Sequence, residues 1–224
     1  MTAQPDYTQR NICPIFPPNI GWLQMRLTPE EMDFLWSRIN NPPEPEHSFK
    51  PQLAGNIAES IRITDKDGWF FNHAIIPNLF RYTQEFGNLG STIAVTGKHP
   101  YVLENMWVNY QKQGEYNPLH KHDGVYSFVI WMKIPTDYHE QNSNNTSNTP
   151  RHSSFEFTYS DIIGGVTGYH YPLTPEFEGM MVFFPAKLFH QVYPFYNCDE
   201  TRISISGNIL LDTRQHIPDG NGAS

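Results

Sequence analysis

The sequence predicts a mainly β fold with flanking helices, built as a sandwich or jelly roll. Three observations carry this prediction. Aromatic residues make up 14% of the 224 residues, mostly Phe and Tyr set among β-branched segments punctuated by Gly and Pro, a composition that suits strands better than a helical bundle. From Tyr101 onward, short β-favouring runs alternate with turn residues. Helical spacing of apolar residues is confined to the first hundred positions.

The first element is a helix of about three turns opening at Leu27-Thr28-Pro29-Glu30-Glu31. Thr28 can cap it, Pro29 fits the first turn, and the acids sit at the positive end of the dipole. Met32, Leu35, Trp36 and Ile39 form its apolar side. A second helix spans about Asn72 to Phe86, with Ile75, Ile76, Leu79, Phe80 and Tyr82 as its apolar side and Pro77 inside it. The strands follow: Trp107–Tyr110, Tyr126–Met132, Ser154–Thr158, Met180–Phe184 and Arg202–Ser206. Between the second and third of these, His139–Ser153 is almost wholly polar and is expected to be a mobile loop. No internal repeat or Gly/Pro/Ser-rich linker splits the chain, and its length suits one domain. Residues 1–100 are expected to form a helical scaffold packed on a β core at 101–211, with 212–224 a flexible tail.

A formal charge of -8 disfavours generic binding to nucleic acid or anionic membranes. Cys13 and Cys198 are too few for a disulfide framework or a thiolate zinc site, so a reducing compartment is expected. The opening MTAQPDYTQR lacks an apolar run of signal-peptide length, and no stretch approaches the roughly 20 apolar residues that cross a bilayer. A soluble, cytoplasmic protein is the expectation.

The densest chemistry lies in Asn117-Pro118-Leu119-His120-Lys121-His122-Asp123-Gly124, just ahead of the most hydrophobic strand. In an extended segment, residues two apart face the same side. His120 and His122 can therefore aim two imidazoles at one ion, while Asp123 faces away unless Gly124 turns the chain. Imidazole, with or without carboxylate, suits Fe(II), Zn or Cu and does not suit Mg or Ca. The bland alternative is a polar loop with solvated histidines. His190 stands in an apolar run, Phe183 to Val192, as a ligand or as a hydrogen-bonded core histidine. In Arg202–Asn208, alternation puts Arg202, Ser204, Ser206 and Asn208 on one face and Ile203 and Ile205 on the other. That polar face is either a wet edge or a cavity wall where Arg202 offers a planar fork to a carboxylate and Ser204 a hydroxyl.

Together, His120-x-His122-Asp123, a His about 70 residues later and Arg-x-Ser 12 residues beyond it resemble the 2-oxoglutarate/Fe(II) dioxygenases over roughly Trp107 to Leu211. Trp107-Val108-Asn109, the strand ending in Lys133-Ile134-Pro135, and Phe184-Pro185 are similar to a subgroup of oxygenases common in phage and bacterial genomes. The resemblance implies a double-stranded β-helix, a cupin-like jelly roll, with Fe(II), 2-oxoglutarate and O2 as cofactor and co-substrates and hydroxylation of an unknown primary substrate as the reaction. It implicates His120 and His190 as iron ligands, Arg202 and Ser204 at the distal carboxylate of 2-oxoglutarate, and Tyr110 as a further hydroxyl to it. The usual His-x-Asp becomes His-x-His here, so His122 is the expected third ligand and Asp123 the alternative, reached through a bulge. The competing readings are a cupin-like module that binds a metal or small acid without turnover, and a zinc hydrolase, which would leave Arg202 and Ser204 without a role. Leu53-Ala54-Gly55-Asn56-Ile57 is assigned only to scaffold.

Overall fold

The computed structural model describes residues 13–15, 19–41 and 48–217. In chain order these form strand β1 (Leu23–Arg26), helix α1 (Pro29–Asn40), β2 (Glu59–Ile63), α2 (Ile76–Phe86), β3 (Tyr101–Gln111), β4 (Asn117–His120), β5 (Tyr126–Lys133), α3 (Tyr138–Asn142), β6 (Ser154–Ser160), β7 (Val166–Pro172), β8 (Met180–Pro185), β9 (Phe189–Val192) and β10 (Arg202–Leu211). Two antiparallel sheets result, ordered β1-β8-β5-β10-β3-β2 and β4-β9-β6-β7. The fold is the double-stranded β-helix.

Helix α1 forms where its sequence predicts, because Thr28 and Glu31 close a reciprocal capping box: Glu31 N–H donates to Thr28 Oγ1 at 3.2 Å and Thr28 N–H to Glu31 Oε2 at 2.7 Å. Around Pro77 the chain accommodates the missing donor by winding Phe71–Ile75 as a π-helical turn ahead of α2. The Asp65 carboxylate accepts from the backbone N–H groups of Phe70 and Phe71 at 3.1 and 2.8 Å, which starts this helical stretch earlier than the periodicity alone predicts.

Strands β5 and β8 read as near-continuous apolar runs because the large sheet is buried on both faces. Phe128, Ile130, Met132, Met181, Phe183 and Ile205 pack on one side with Leu35 and Ile39 of α1 and Leu79 and Tyr82 of α2. Val129, Trp131, Val182 and Phe184 face the other way, onto Phe155, Phe157 and Tyr171 of the small sheet. The cavity described below opens between the two sheets.

The scaffold expected over 1–100 is not purely helical. Strand β1 pairs with Met180–Phe183 of β8 and β2 with Met106–Tyr110 of β3, so this segment supplies both edges of the large sheet. Edge strands this short carry little alternation, and their pairing partners lie far away in sequence. Of the tail expected over 212–224, the part up to Ile217 is tied down, with Asp212 N–H donating to Pro100 O at 2.9 Å and Ile217 N–H to Lys98 O at 2.8 Å. The opening ten residues and the remainder of the tail lie outside the described residues. The polar segment His139–Ser153 begins inside α3 and is braced by Asn142, whose amide donates to Tyr138 O and His152 O at 2.7 and 2.9 Å. Among the described residues no helix is long and apolar enough to cross a membrane.

Candidate active site

Strands β4 and β9 run antiparallel with His120 and His190 as direct cross-strand partners. Their ring centroids lie 4.3 Å apart. His122 follows two residues later and is held by its N–H, which donates to Ala186 O at 2.9 Å. One ring nitrogen from each of the three histidines falls within 4.8 Å of the others. His120 Nδ1 is 2.7 Å from Pro118 O and His190 Nδ1 is 2.9 Å from Leu188 O. A carbonyl can only accept, so both Nδ1 atoms carry the proton and both Nε2 lone pairs are free to face a cation. His190 Nε2 stands 3.1 Å from His122 Nε2.

Burial is the main cause holding all three imidazoles neutral. It lowers the His120 pKa, takes His122 down to about 4 and depresses His190 well below the ordinary range, and mutual repulsion among the rings adds to the effect at His122 and His190. Neutral imidazole is the form that ligates metals.

Asp123 is elsewhere. Gly124 does turn the chain, with φ +103°, but the turn comes after Asp123 has already pointed outward. The Asp123 side chain is fully exposed and pairs with Lys187 Nζ at 3.0 Å. That ammonium, by hydrogen bond and charge, lowers the Asp123 carboxyl pKa.

The three histidines line one cavity with Arg202, Ser204 and Ser206 of β10 and with Trp107, Asn109 and Gln111 of β3. The space enclosed among these residues is small, about 40 Å³. Among the residues lining it none is acidic. The alternation read from the sequence of β10 holds as far as Ser206: Ile203 and Ile205 pack into the helix-side core while Arg202, Ser204 and Ser206 face the cavity, whereas Asn208, expected on the same face, is not among the cavity-lining residues and accepts from Ser127 Oγ at 2.7 Å. Arg202 is 1% exposed. Its Nη1 donates to Gln111 Oε1 at 3.3 Å, and its Nη2 to Ser153 Oγ at 2.5 Å and to Thr136 Oγ1 at 3.4 Å. Its Nε has no partner, and its guanidinium carbon lies 4.7 Å over the Phe195 ring. Burial lowers its pKa to about 9, still charged at neutral pH.

Tyr110 is not at the cavity. Strand alternation places Trp107, Asn109 and Gln111 on the cavity face of β3 and Tyr110 on the opposite face, against the helix-side core and opposite Ile203 and Glu59. Asn109, buried, stands there instead, accepting from Ser60 Oγ at 2.8 Å. The same alternation, applied to Trp107, would have found it. Leu53 and Ala54, read as scaffold, also line the cavity. Asn56 N–H fastens their segment to Tyr116 O at 2.8 Å. Gly55 is needed there because Asn117 Oδ1 sits 1.6 Å from where a Cβ would stand.

A family model described as "Putative 2OG-Fe(II) oxygenase" matches residues 105–208, taking in all three histidines, Arg202 and Ser204. Over these residues, just under half of its length, the chain is similar to the 2-oxoglutarate/Fe(II) oxygenases, oxidoreductases that use Fe(II), 2-oxoglutarate and O2. Among solved structures it is similar to a prolyl-4-hydroxylase from Pseudomonas putida, 14% identical over 85% of this chain and 92% of that one at TM-score 0.52. An oxidoreductase of the 2OG-Fe(II) oxygenase family from Burkholderia pseudomallei is 12% identical over 88% and 89% of the two chains at TM-score 0.54. SnoN, a non-heme α-ketoglutarate-dependent epimerase from nogalamycin biosynthesis, is 12% identical over 91% and 89% at TM-score 0.51. At these identities the likeness is one of fold. No curated protein matches the chain.

Proposed function

We propose that the chain is a 2-oxoglutarate- and Fe(II)-dependent hydroxylase in which His120, His122 and His190 hold the iron and Arg202, with Ser204, receives the distal carboxylate of 2-oxoglutarate. One observation carries the reading: a fully buried guanidinium with no carboxylate partner among the described residues faces the same cavity as three neutral imidazoles. An unpaired buried charge costs several kcal/mol, so it persists where a ligand completes it.

The donor set fits the metal. Two imidazoles have their Nδ1 protons fixed on backbone carbonyls, and His122 Nε2 lies 3.1 Å from His190 Nε2, so that ring nitrogens of the three histidines converge on one point where a cation can sit. Nitrogen donors of this kind suit Fe(II). Bound there, Fe(II) supplies the activation of O2 that converts 2-oxoglutarate to succinate and CO2 and oxidises a C–H bond of the primary substrate. The rest is the work of the chain. Arg202 offers unpaired N–H donors to a carboxylate, in a site where charge-assisted hydrogen bonds are strong. Trp131, Phe155 and Phe184 wall the cavity and limit water near the reacting atoms. Leu53 and Ala54 close its other side.

The test is turnover of the co-substrate. Purified protein loaded with Fe(II) in air is expected to convert 2-oxoglutarate slowly to succinate without a primary substrate. Folded, iron-loaded protein that forms no succinate would contradict the reading.

A further inference from the structure

A buried arginine is ordinarily neutralised by an Asp or Glu, and this one is held by three uncharged acceptors. Gln111 Oε1, Thr136 Oγ1 and Ser153 Oγ take three of the five guanidinium N–H groups and leave its charge intact. Thr136 and Ser153 bond each other at 2.9 Å, and both are buried, Ser153 completely.

Ser153 has φ +57°, a backbone conformation that side chains other than Gly rarely adopt. Its backbone is pinned there on both sides: its N–H donates to Pro194 O at 2.8 Å, and Leu173 N–H donates to its carbonyl at 3.1 Å. Strain of this kind persists where the surroundings over-determine it and clusters at ligand clamps. Here the conformation carries the hydroxyl under Arg202. Gln111 is locked as well, its Nε2 donating to Glu115 O at 2.6 Å so that Oε1 is turned to the guanidinium.

We infer that Gln111, Thr136 and Ser153 are positioning residues that orient Arg202 while keeping its charge uncompensated, so that the cavity selects a ligand with a second carboxylate. This rests on the reading of Arg202 as the co-substrate anchor. A carboxylate in the clamp would satisfy the same N–H groups and compete with the ligand for the charge. None of the three residues touches the three histidines in the contacts described, so the clamp acts on co-substrate selection and not on metal binding.

The experiment measures dissociation constants by anaerobic calorimetry on the full chain loaded with Fe(II), for 2-oxoglutarate and for 2-oxobutyrate, which lacks the distal carboxylate. Gln111→Glu is expected to weaken 2-oxoglutarate about tenfold or more and to leave 2-oxobutyrate unchanged, since hydrogen bonds to a charged group carry that much affinity. Gln111→Leu loses the same bond to Glu115 without adding charge and is expected to fall between Gln111→Glu and wild type. Thr136→Val is expected to weaken 2-oxoglutarate and Thr136→Ser to restore it. The clamp is overturned if wild type binds 2-oxoglutarate and Gln111→Glu and Thr136→Val bind it as tightly, or if both ligands weaken equally in the variants. Wild type that binds Fe(II) but shows no preference for 2-oxoglutarate over 2-oxobutyrate would instead overturn the reading of Arg202 itself.

Discussion

His122 and Asp123 are neighbours in the chain and point to opposite sides of it. His122 lies against His190, and Asp123 reaches out to Lys187. If His122 is the third ligand, His122→Ala abolishes tight Fe(II) binding, as His120→Ala and His190→Ala do. Asp123→Ala is expected to cost at most about tenfold, the low end of what outer-shell groups do to metal affinity. Metal content and Fe(II) titration of the four variants check this, and iron retained by His122→Ala would sink the assignment. At Arg202, replacement by Ala is expected to weaken 2-oxoglutarate about ten- to a hundredfold, from the roughly 1.5–3 kcal/mol of a charge-assisted pair, with iron binding unchanged. Lys restores this only in part, because it offers a point charge and not a planar fork. The interaction needs the protonated guanidinium, whose pKa burial lowers to about 9. The affinity for 2-oxoglutarate should therefore hold from neutral pH upward and fall as pH rises through about 9; an affinity that is unchanged well above that range would place the binding charge elsewhere.

Legibility from sequence differs from element to element. The first half of strand β10, Arg202–Ser206, was readable because alternation on a central strand with one polar and one apolar face is unambiguous, and it placed Arg202 and Ser204 on the cavity face, while the stretch to Leu211, where the register shifts at Asn208, was not read as strand. Strands β4 and β9, four residues each, carry too little pattern to announce themselves, although they hold His120 and His190 in register. Strand β7 hid behind Gly168 and Pro172, residues that weaken a strand pattern. Tyr110 was misplaced by analogy where simple alternation from Trp107 would have sent it to the helix-side core. Tyr110→Phe is accordingly expected to leave 2-oxoglutarate affinity within about twofold of wild type, since truncating a group remote from the ligand removes none of the pairing energy; a loss as large as that of Arg202→Ala, read in the same titration, would return Tyr110 to the site. On β10 itself, Gly207 faces Phe128 Cζ at 2.5 Å and Asn105 O at 2.8 Å from an added Cβ. Gly207→Ala is expected to destabilise the fold by roughly 1–3 kcal/mol through overpacking, read as a lower midpoint in urea. An unchanged midpoint would mean that β3 and β5 yield more easily than this packing implies.

At the scale of the molecule, the large sheet is the common wall of two environments. One face is sealed by α1 and α2 over an aliphatic and aromatic core, and the other faces the small sheet across the cavity. The first sealing is what lets the second face keep polar side chains without dissolving the sheet, since burial on the helix side supplies the stability that a polar row forgoes. Residues from the first hundred complete the arrangement: β1 and β2 flank the sheet, and Leu53 and Ala54 close the cavity. That part was illegible because the contacts that place it, β1 on β8, β2 on β3 and Asn56 on Tyr116, are long-range, and a segment such as Leu53–Ile57 has neither periodicity nor charge to mark it. Three histidines and Arg202 are proposed to make together one site for iron and a dicarboxylic 2-oxo acid. This is tested most directly by adding 2-oxoglutarate to the Fe(II)-loaded protein without oxygen and recording the visible spectrum. A weak, saturable charge-transfer band is expected that is absent from His122→Ala and requires about tenfold or more 2-oxoglutarate in Arg202→Ala. Iron-loaded wild type with no band at saturating 2-oxoglutarate, or an Arg202→Ala titration that overlays the wild type, would contradict it.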